Sequence, residues 1–88
     1  MRISTTERFE RRLVRFIKAH PELISKVQKT MNDLSADPFT PYLKTHKLTG
    51  SLKECHACRV TYEYRVIFIL DKDSLCFIDI GSHDEVYN

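Results

Sequence analysis

The chain has 88 residues, 42% of them hydrophobic and 30% charged, with only two glycines and three prolines; this is the make-up of one globular domain over residues 1–88 and leaves no room for a second core or extensive disorder. The formal net charge is +2, and three cysteines are an odd count that argues against a secreted disulfide framework and for a reducing compartment. No apolar run reaches the roughly 20 residues of a membrane span and Met1 to Thr6 has no hydrophobic signal core behind it, so a cytoplasmic location without a membrane partner is expected.

Ile3 suits a short first strand. Ser4 and Glu7 have the Ser-x-x-Glu spacing of a capping box, so a helix is predicted to start there. Phe9, Leu13, Phe16 and Ile17 recur on one helical face, while Arg8, Arg11, Arg12, Arg15 and Lys18 fill the rest, which describes an amphipathic, strongly basic helix. His20-Pro21 interrupts it, and because proline is tolerated in the first helical position Pro21 reads as the start of a second helix. The stripe Leu23, Ile24, Val27, Met31 and Leu34 then runs to a stop before Asp37-Pro38, so residues 5–36 resemble a helical hairpin whose apolar faces need a sheet.

The second half supplies that sheet. Residues 54–61, 64–70 and 75–80 are rich in β-branched, aromatic and apolar side chains and read as three strands. The polar turn Asp71-Lys72-Asp73-Ser74 is too short for a parallel crossover, and so is the connection around Tyr62-Glu63, which makes the strands antiparallel neighbours. The predicted class is α+β: a helical hairpin on one face of a small antiparallel sheet, mixed by a short N-terminal strand, with the other face open to a ligand.

Residues 1–34 hold eight Lys/Arg against four Asp/Glu, net +4, and the remainder six against eight, net −2. That asymmetry suits nucleic acid, a ribosomal surface or an acidic protein, as well as a plain solvated helix face. Cys55-His56-Ala57-Cys58 has the spacing of a metal or redox pair, but odd spacing on a strand sends the two thiols to opposite faces and no second pair completes a tetrahedral set. Cys58 and Cys76 are better read as small buried hydrophobes, and neither metal nor cofactor is expected.

Lys44, His46, Lys47 and Lys53 cluster around Gly50, either as a solvated loop or as a phosphate-binding rim in which lysines supply charge and a histidine moves a proton. If Thr61-Tyr62-Glu63 closes a hairpin, Arg59 and Arg65 face each other across neighbouring strands, where like charges are unfavourable unless an anion bridges them or Glu54, Glu63 or Asp79 pairs with them. His83 and Tyr87 are one helical turn apart in a polar C-terminal stretch, Gly81-Ser82-His83-Asp84-Glu85-Val86-Tyr87. Histidines, a phenol and arginines together suit phosphodiester chemistry in which a base takes an RNA 2′-OH proton, arginine stabilises the phosphorane and an acid protonates the 5′-oxygen.

The segments His46 to Lys53, Cys58-Arg59-Val60, Tyr64-Arg65-Val66-Ile67-Phe68 and Gly81 to Tyr87 together resemble a toxin of the RelE/ParE superfamily, of RelE and YafQ type, over nearly the whole chain. The resemblance implies the RelE-like fold and a ribosome-dependent mRNA endonuclease (an mRNA interferase). Its partners would be mRNA in the ribosomal decoding site, ribosomal RNA and a cognate antitoxin protein that joins it in a hetero-oligomer. By position, His46 and His83 fall on the two histidines of YafQ-like members, Glu63 on an acidic site residue, Arg65 on the arginine near the scissile phosphate and Tyr87 on the C-terminal aromatic. These five are the expected catalytic residues, with Lys44, Lys47, Lys53 and Arg59 expected to bind substrate. Arg59 and Ala57 depart from the superfamily pattern, since relatives carry histidine or lysine at the first and lysine at the second. His46, His83 and Glu63 are all eligible as general base. A ParE-like gyrase inhibitor and a degenerate toxin retaining only antitoxin binding are the alternatives on the same fold.

Overall fold

The computed structural model describes residues 1–87. In chain order the elements are β1 (Arg2–Thr5), α1 (Glu7–Ala19), α2 (Ile24–Ala36), β2 (His46–Lys47), β3 (His56–Arg59), β4 (Tyr64–Asp71), β5 (Ser74–Ser82) and α3 (His83–Tyr87). The sheet order is β1-β5-β4-β3-β2. β1 runs parallel to β5 and the other pairs are antiparallel, as the α+β expectation requires.

Helix α1 starts two residues later than the Ser4–Glu7 spacing suggests. Ser4 pairs with Cys76 inside the β1–β5 ladder, so Thr6 becomes the cap, its Oγ1 accepting from the Phe9 N–H at 3.1 Å. The Thr6 backbone N–H donates to the Phe77 carbonyl at 3.2 Å, which ties the helix start to the middle of the sheet. A 3₁₀ turn, Pro21–Leu23, follows His20 at once and leads into α2; proline fits there because its missing N–H would have no helical partner.

α1 and α2 cover one face of the sheet. Phe9, Phe16, Val27 and Leu34 pack with Cys58, Val66, Phe68, Leu75, Phe77 and Ile80 in one buried cluster, in which Phe9 and Phe77 stack 5.2 Å apart. Asp79 is also buried, although charged: Arg12 Nε donates to its Oδ1 at 2.8 Å and Arg8 Nη2 to its Oδ2 at 3.3 Å. Two arginines that fill the polar side of α1 in the sequence therefore lock the helix to β5.

The opposite face is not left open. Ala57 and Ile67 are buried there with Cys55 and Val86, and Leu48, Leu52, Ile78 and Tyr87 pack against them. The cover comes from residues 48–55 and from α3, because an apolar strand face in water is unfavourable by about 25 cal/mol per Å². The β4–β5 register contributes: Ile67 pairs with Asp79 but Phe68 with Phe77, so Ile78 is an extra residue on β5 and bends the strand, as bulges do. Cys55 and Cys58 belong to the two different clusters. Cys76 is half-buried rather than buried as expected.

β4 and β5 extend further than their apolar runs. Asp71 pairs with Ser74, so Lys72 and Asp73 alone make the turn, and β5 continues to Ser82 opposite Tyr64. β3 is shorter than residues 54–61, but the Val60 N–H donates to the Tyr64 carbonyl at 2.9 Å and Arg59 pairs with Arg65, as the three-residue closure predicts. No helix among the described residues is long and apolar enough to cross a membrane.

Candidate active site

β5 delivers α3 directly, with no intervening loop. Ser82 caps the helix: its Oγ accepts from the Glu85 N–H at 3.2 Å, and its own N–H donates to Glu85 Oε1 at 2.8 Å. This reciprocal capping box satisfies two helix-end donors at once. Gly81 is held close beneath it, since a Cβ there would meet Glu85 Oε1 at 3.0 Å and Arg12 Nη2 at 3.3 Å. The carboxyl of Glu85 is held below the ordinary carboxylate range, first by the Ser82 backbone N–H and more weakly by Arg12 and His20.

One turn of α3 places His83 and Tyr87 side by side. Their rings are edge to face, 4.4 Å between centroids. Burial pushes the Tyr87 phenol up, against a smaller downward pull from Arg65, so at neutral pH it is a donor and not a base. His83 Nδ1 lies 3.6 Å from Asp84 Oδ1, both side chains being exposed.

His46 and Lys47 reach the same region from β2, and Arg65 from β4. Together with Leu48, Thr49, His83 and Tyr87 they line an open cleft of about 430 Å³. Among the described residues no carboxylate lines it, so the field of these side chains favours an anion. His46 Nδ1 is 3.0 Å from the Lys44 carbonyl; a carbonyl only accepts, so Nδ1 carries the proton and Nε2 of the neutral ring is the proton acceptor. Lys44 sets up this contact with its backbone, at φ 54° in the left-handed region, and not with its ammonium group.

Arg65 is the hinge between two cavities. Its Nη1 donates to the carbonyls of Thr61 and Tyr62 at 3.0 Å each and of Tyr64 at 3.3 Å, which anchors the β3–β4 turn, while the side chain lines both cavities. A second cavity of about 410 Å³ lies on its other side, lined also by Tyr62, Glu63, Ser82, His83 and Asp84. Glu63 therefore sits beside Arg65 and His83 but outside the cleft that holds His46.

The remaining expected binding residues do not converge here. Lys44 and Lys53 are exposed and line neither cavity; Lys53 closes the 3₁₀ turn Gly50–Leu52. Arg59, although opposite Arg65 in register, turns to another cleft, beside Lys26 and Tyr62. Asp79 does not pair with it, being held by Arg8 and Arg12. The other two histidines pack: His20 lies 4.8 Å from Phe16 and 4.7 Å from Tyr64. His56 stacks 5.9 Å from Phe68 with its pKa lowered by burial and then by Lys47 and His46. Among the described residues no group of three or more His, Cys, Asp or Glu side chains is arranged to hold a metal ion.

Tyr62, Ser82 and Glu85 are site residues for which the sequence sets no catalytic or binding expectation. The last two have the same Ser-x-x-Glu spacing as Ser4 and Glu7, where the sequence predicts a cap. Nothing local marks Tyr62 beyond its place in a polar turn.

Comparison with known proteins gives a consistent answer. The family model described as a bacterial toxin of type II toxin–antitoxin systems, YafQ, matches residues 1–88. No curated protein matches the sequence. Among solved structures, YafQ from E. coli strain BL21(DE3) superposes with a TM-score of 0.86 at 21% identity, covering 100% of both chains. The toxin in the E. coli DinJ–YafQ toxin–antitoxin complex gives 0.82 at 22% identity over 98% of this chain and 96% of that one. A YoeB/ParE toxin from Agrobacterium tumefaciens gives 0.79 at 18% identity, over 94% and 99%. At these identities the superpositions speak for the fold.

Proposed function

Since the chain belongs to the YafQ family of type II toxin–antitoxin toxins, we propose that it is the toxin that cuts mRNA in the ribosomal decoding site by attack of a ribose 2′-OH on the adjoining phosphate. The observation that carries this reading is the shared cleft of His46, Arg65, His83 and Tyr87, two imidazoles, a guanidinium and a phenol around a space that no carboxylate of the described residues lines. Inhibition of gyrase would need no such set.

In the proposed reaction His46 Nε2 takes the 2′-OH proton, and the 2′-oxygen bonds to phosphorus. Arg65 stabilises the negative charge that gathers on the phosphoryl oxygens. His83, braced by Tyr87, gives a proton to the departing 5′-oxygen. The P–O5′ bond breaks, leaving a 2′,3′-cyclic phosphate and a 5′-OH. Glu63 lies outside the cleft that holds His46 and is given no role as the base, and Lys47 supplies charge beside His46.

The partner that restrains the toxin is proposed to be a cognate antitoxin with an acidic segment over the basic helices or the site, by analogy with the DinJ–YafQ pair. Arg8 and Arg12 are already bonded to Asp79 and Arg11 lies 4.0 Å from Glu7, so Arg15 and Lys18, with the exposed Arg11, are the charges of α1 proposed to meet it.

The test is controlled induction followed by mapping of transcript 5′ ends, with translation running and with it blocked. New 5′-OH ends confined to translated frames are expected, and folded His83→Ala and Arg65→Ala proteins should produce almost none. Intact transcripts with loss of DNA supercoiling would replace this reading by gyrase inhibition, and growth without arrest by a degenerate toxin.

A further inference from the structure

Arg59 leads away from the candidate active site. With Lys26 and Lys29 of α2, Tyr42 and Tyr62 it lines a cleft of about 600 Å³ between α2 and the β3–β4 turn, larger than either cavity around Arg65. Arg59 Nε is buried there without a hydrogen-bond partner among the described residues, and its guanidinium carbon lies 5.9 Å from the centre of the Tyr62 ring. Lys29 is fixed in place: its ammonium donates to Asp33 Oδ2 at 2.8 Å and to the Tyr42 hydroxyl at 3.3 Å, and lies 5.0 Å from the centre of the Tyr42 ring. Lys26, Lys29 and Arg59 line the cleft, Lys29 already paired with Asp33, and no carboxylate of the described residues lines it, which leaves the cleft positive.

Tyr62 is 82% exposed and forms a wall of both this cleft and the Arg65–His83 cavity. A tyrosine ring left in water contributes nothing to the core, whereas an exposed aromatic face flanked by cations matches an unpaired base and its phosphate. A carboxylate of an acidic protein would meet the same cations but would leave that ring face unused.

We propose that this cleft is a second RNA site, in which one phosphodiester sits between Lys26, Lys29 and Arg59 and the adjoining base stacks on Tyr62. The proposal rests on the RNA-directed reading of the active site and extends it, since the strand runs from Arg65 over Tyr62 to α2. Messenger and ribosomal RNA present the same chemistry. A photoreactive Tyr62→p-benzoylphenylalanine protein distinguishes them by which RNA it crosslinks.

The experiment measures binding to ribosomes programmed with a message carrying 2′-deoxyribose at the decoding-site codon, so that no cut interferes, across a salt series. Lys26→Glu should weaken binding about tenfold or more and lower the slope of log affinity against log salt by about one. Tyr62→Ala should weaken it about tenfold while Tyr62→Phe retains it. Both altered positions are exposed, and thermal melts overlaying the wild type check the fold. Cleavage of the all-ribose message is scored separately: a wild type that binds but does not cut overturns the ribonuclease reading and leaves the cleft standing. A wild type that binds with variants of unchanged affinity and salt slope overturns the cleft, as does a wild type with no affinity for ribosomes. Loss of antitoxin affinity alone makes the cleft a protein contact and overturns it too.

Discussion

Ser82 and Glu85 cap each other across the start of α3, each backbone N–H donating to the other's side chain, at 2.8 Å and 3.2 Å. A five-residue helix is far too short to persist through intrinsic propensity. This pair and the burial of Val86 are what hold it, and through it the positions of His83 and Tyr87.

Ser82→Ala removes the acceptor for the Glu85 N–H and should cost about 1 kcal/mol in urea unfolding. A 1 Å misplacement of His83 should also lower cleavage by about tenfold to a hundredfold. Full activity in that protein would show that the cap does not position the site.

Glu85→Gln keeps the cap, because a glutamine oxygen accepts the same N–H, but removes the titration. The Glu85 carboxyl is held below its unfolded value, so its contribution is present above the unfolded pKa and is lost as pH falls through the folded one. Thermal melts from pH 6 down to pH 3 should therefore show a steeper acid loss in the wild type than in Glu85→Gln. Parallel curves would rule out this linkage.

Tyr87→Phe retains the ring that packs 4.4 Å from His83, whereas Tyr87→Ala removes it. If the ring acts by bracing His83 and stacking on a base, single-turnover cleavage by Tyr87→Phe should stay close to wild type. Tyr87→Ala should fall about tenfold to a hundredfold, and His83→Ala about 10²- to 10⁴-fold. A Tyr87→Phe protein as slow as His83→Ala would instead make the phenol the acid.

Asp79→Asn should destabilise the fold by about 2–4 kcal/mol, near the lower end for a broken buried pair because Arg8 is largely exposed. Asp79 is 4% exposed, and neutralising it removes the charge that both arginines bond, leaving Arg12, whose Nη2 is already buried without a partner among the described residues, with only the more distant Glu85 carboxylate nearby. The check is urea denaturation; a shift under 1 kcal/mol would mean that α1 is held by its apolar face alone.

Thiol labelling reads the two faces of the sheet. Cys58 is fully buried and burial pushes its thiol up to about 12, while Cys55 is raised too, by burial and then by Glu54. In the native protein at neutral pH, iodoacetamide should modify half-buried Cys76 first, with Cys58 reacting only on unfolding. Mass mapping of the labelled peptides gives the order, and early modification of Cys58 would contradict the packing.

The helical hairpin, the three long strands and the Arg59–Arg65 register were legible in the sequence because each is written within a few residues: a 3.6-residue stripe, a β-branched run, the length of a turn. The proposed pairing of His83 with Tyr87 was legible for the same reason, four residues being one helical turn. Two Ser-x-x-Glu spacings, at Ser4 and Ser82, were locally indistinguishable. Only the tertiary structure separated them, since Ser4 lies inside the β1–β5 ladder one residue before the strand ends, whereas Ser82 is the last residue of β5, opposite Tyr64, with its Oγ accepting the Glu85 N–H. The same dependence sends Arg12 to Asp79, 67 residues away, and parts Arg59 from Arg65 into different clefts although they are neighbours in register. Periodicity and the placement of charge determined a basic helical hairpin and a sheet, but which charges are spent inside the fold and which face a ligand followed from contacts that no local spacing encodes.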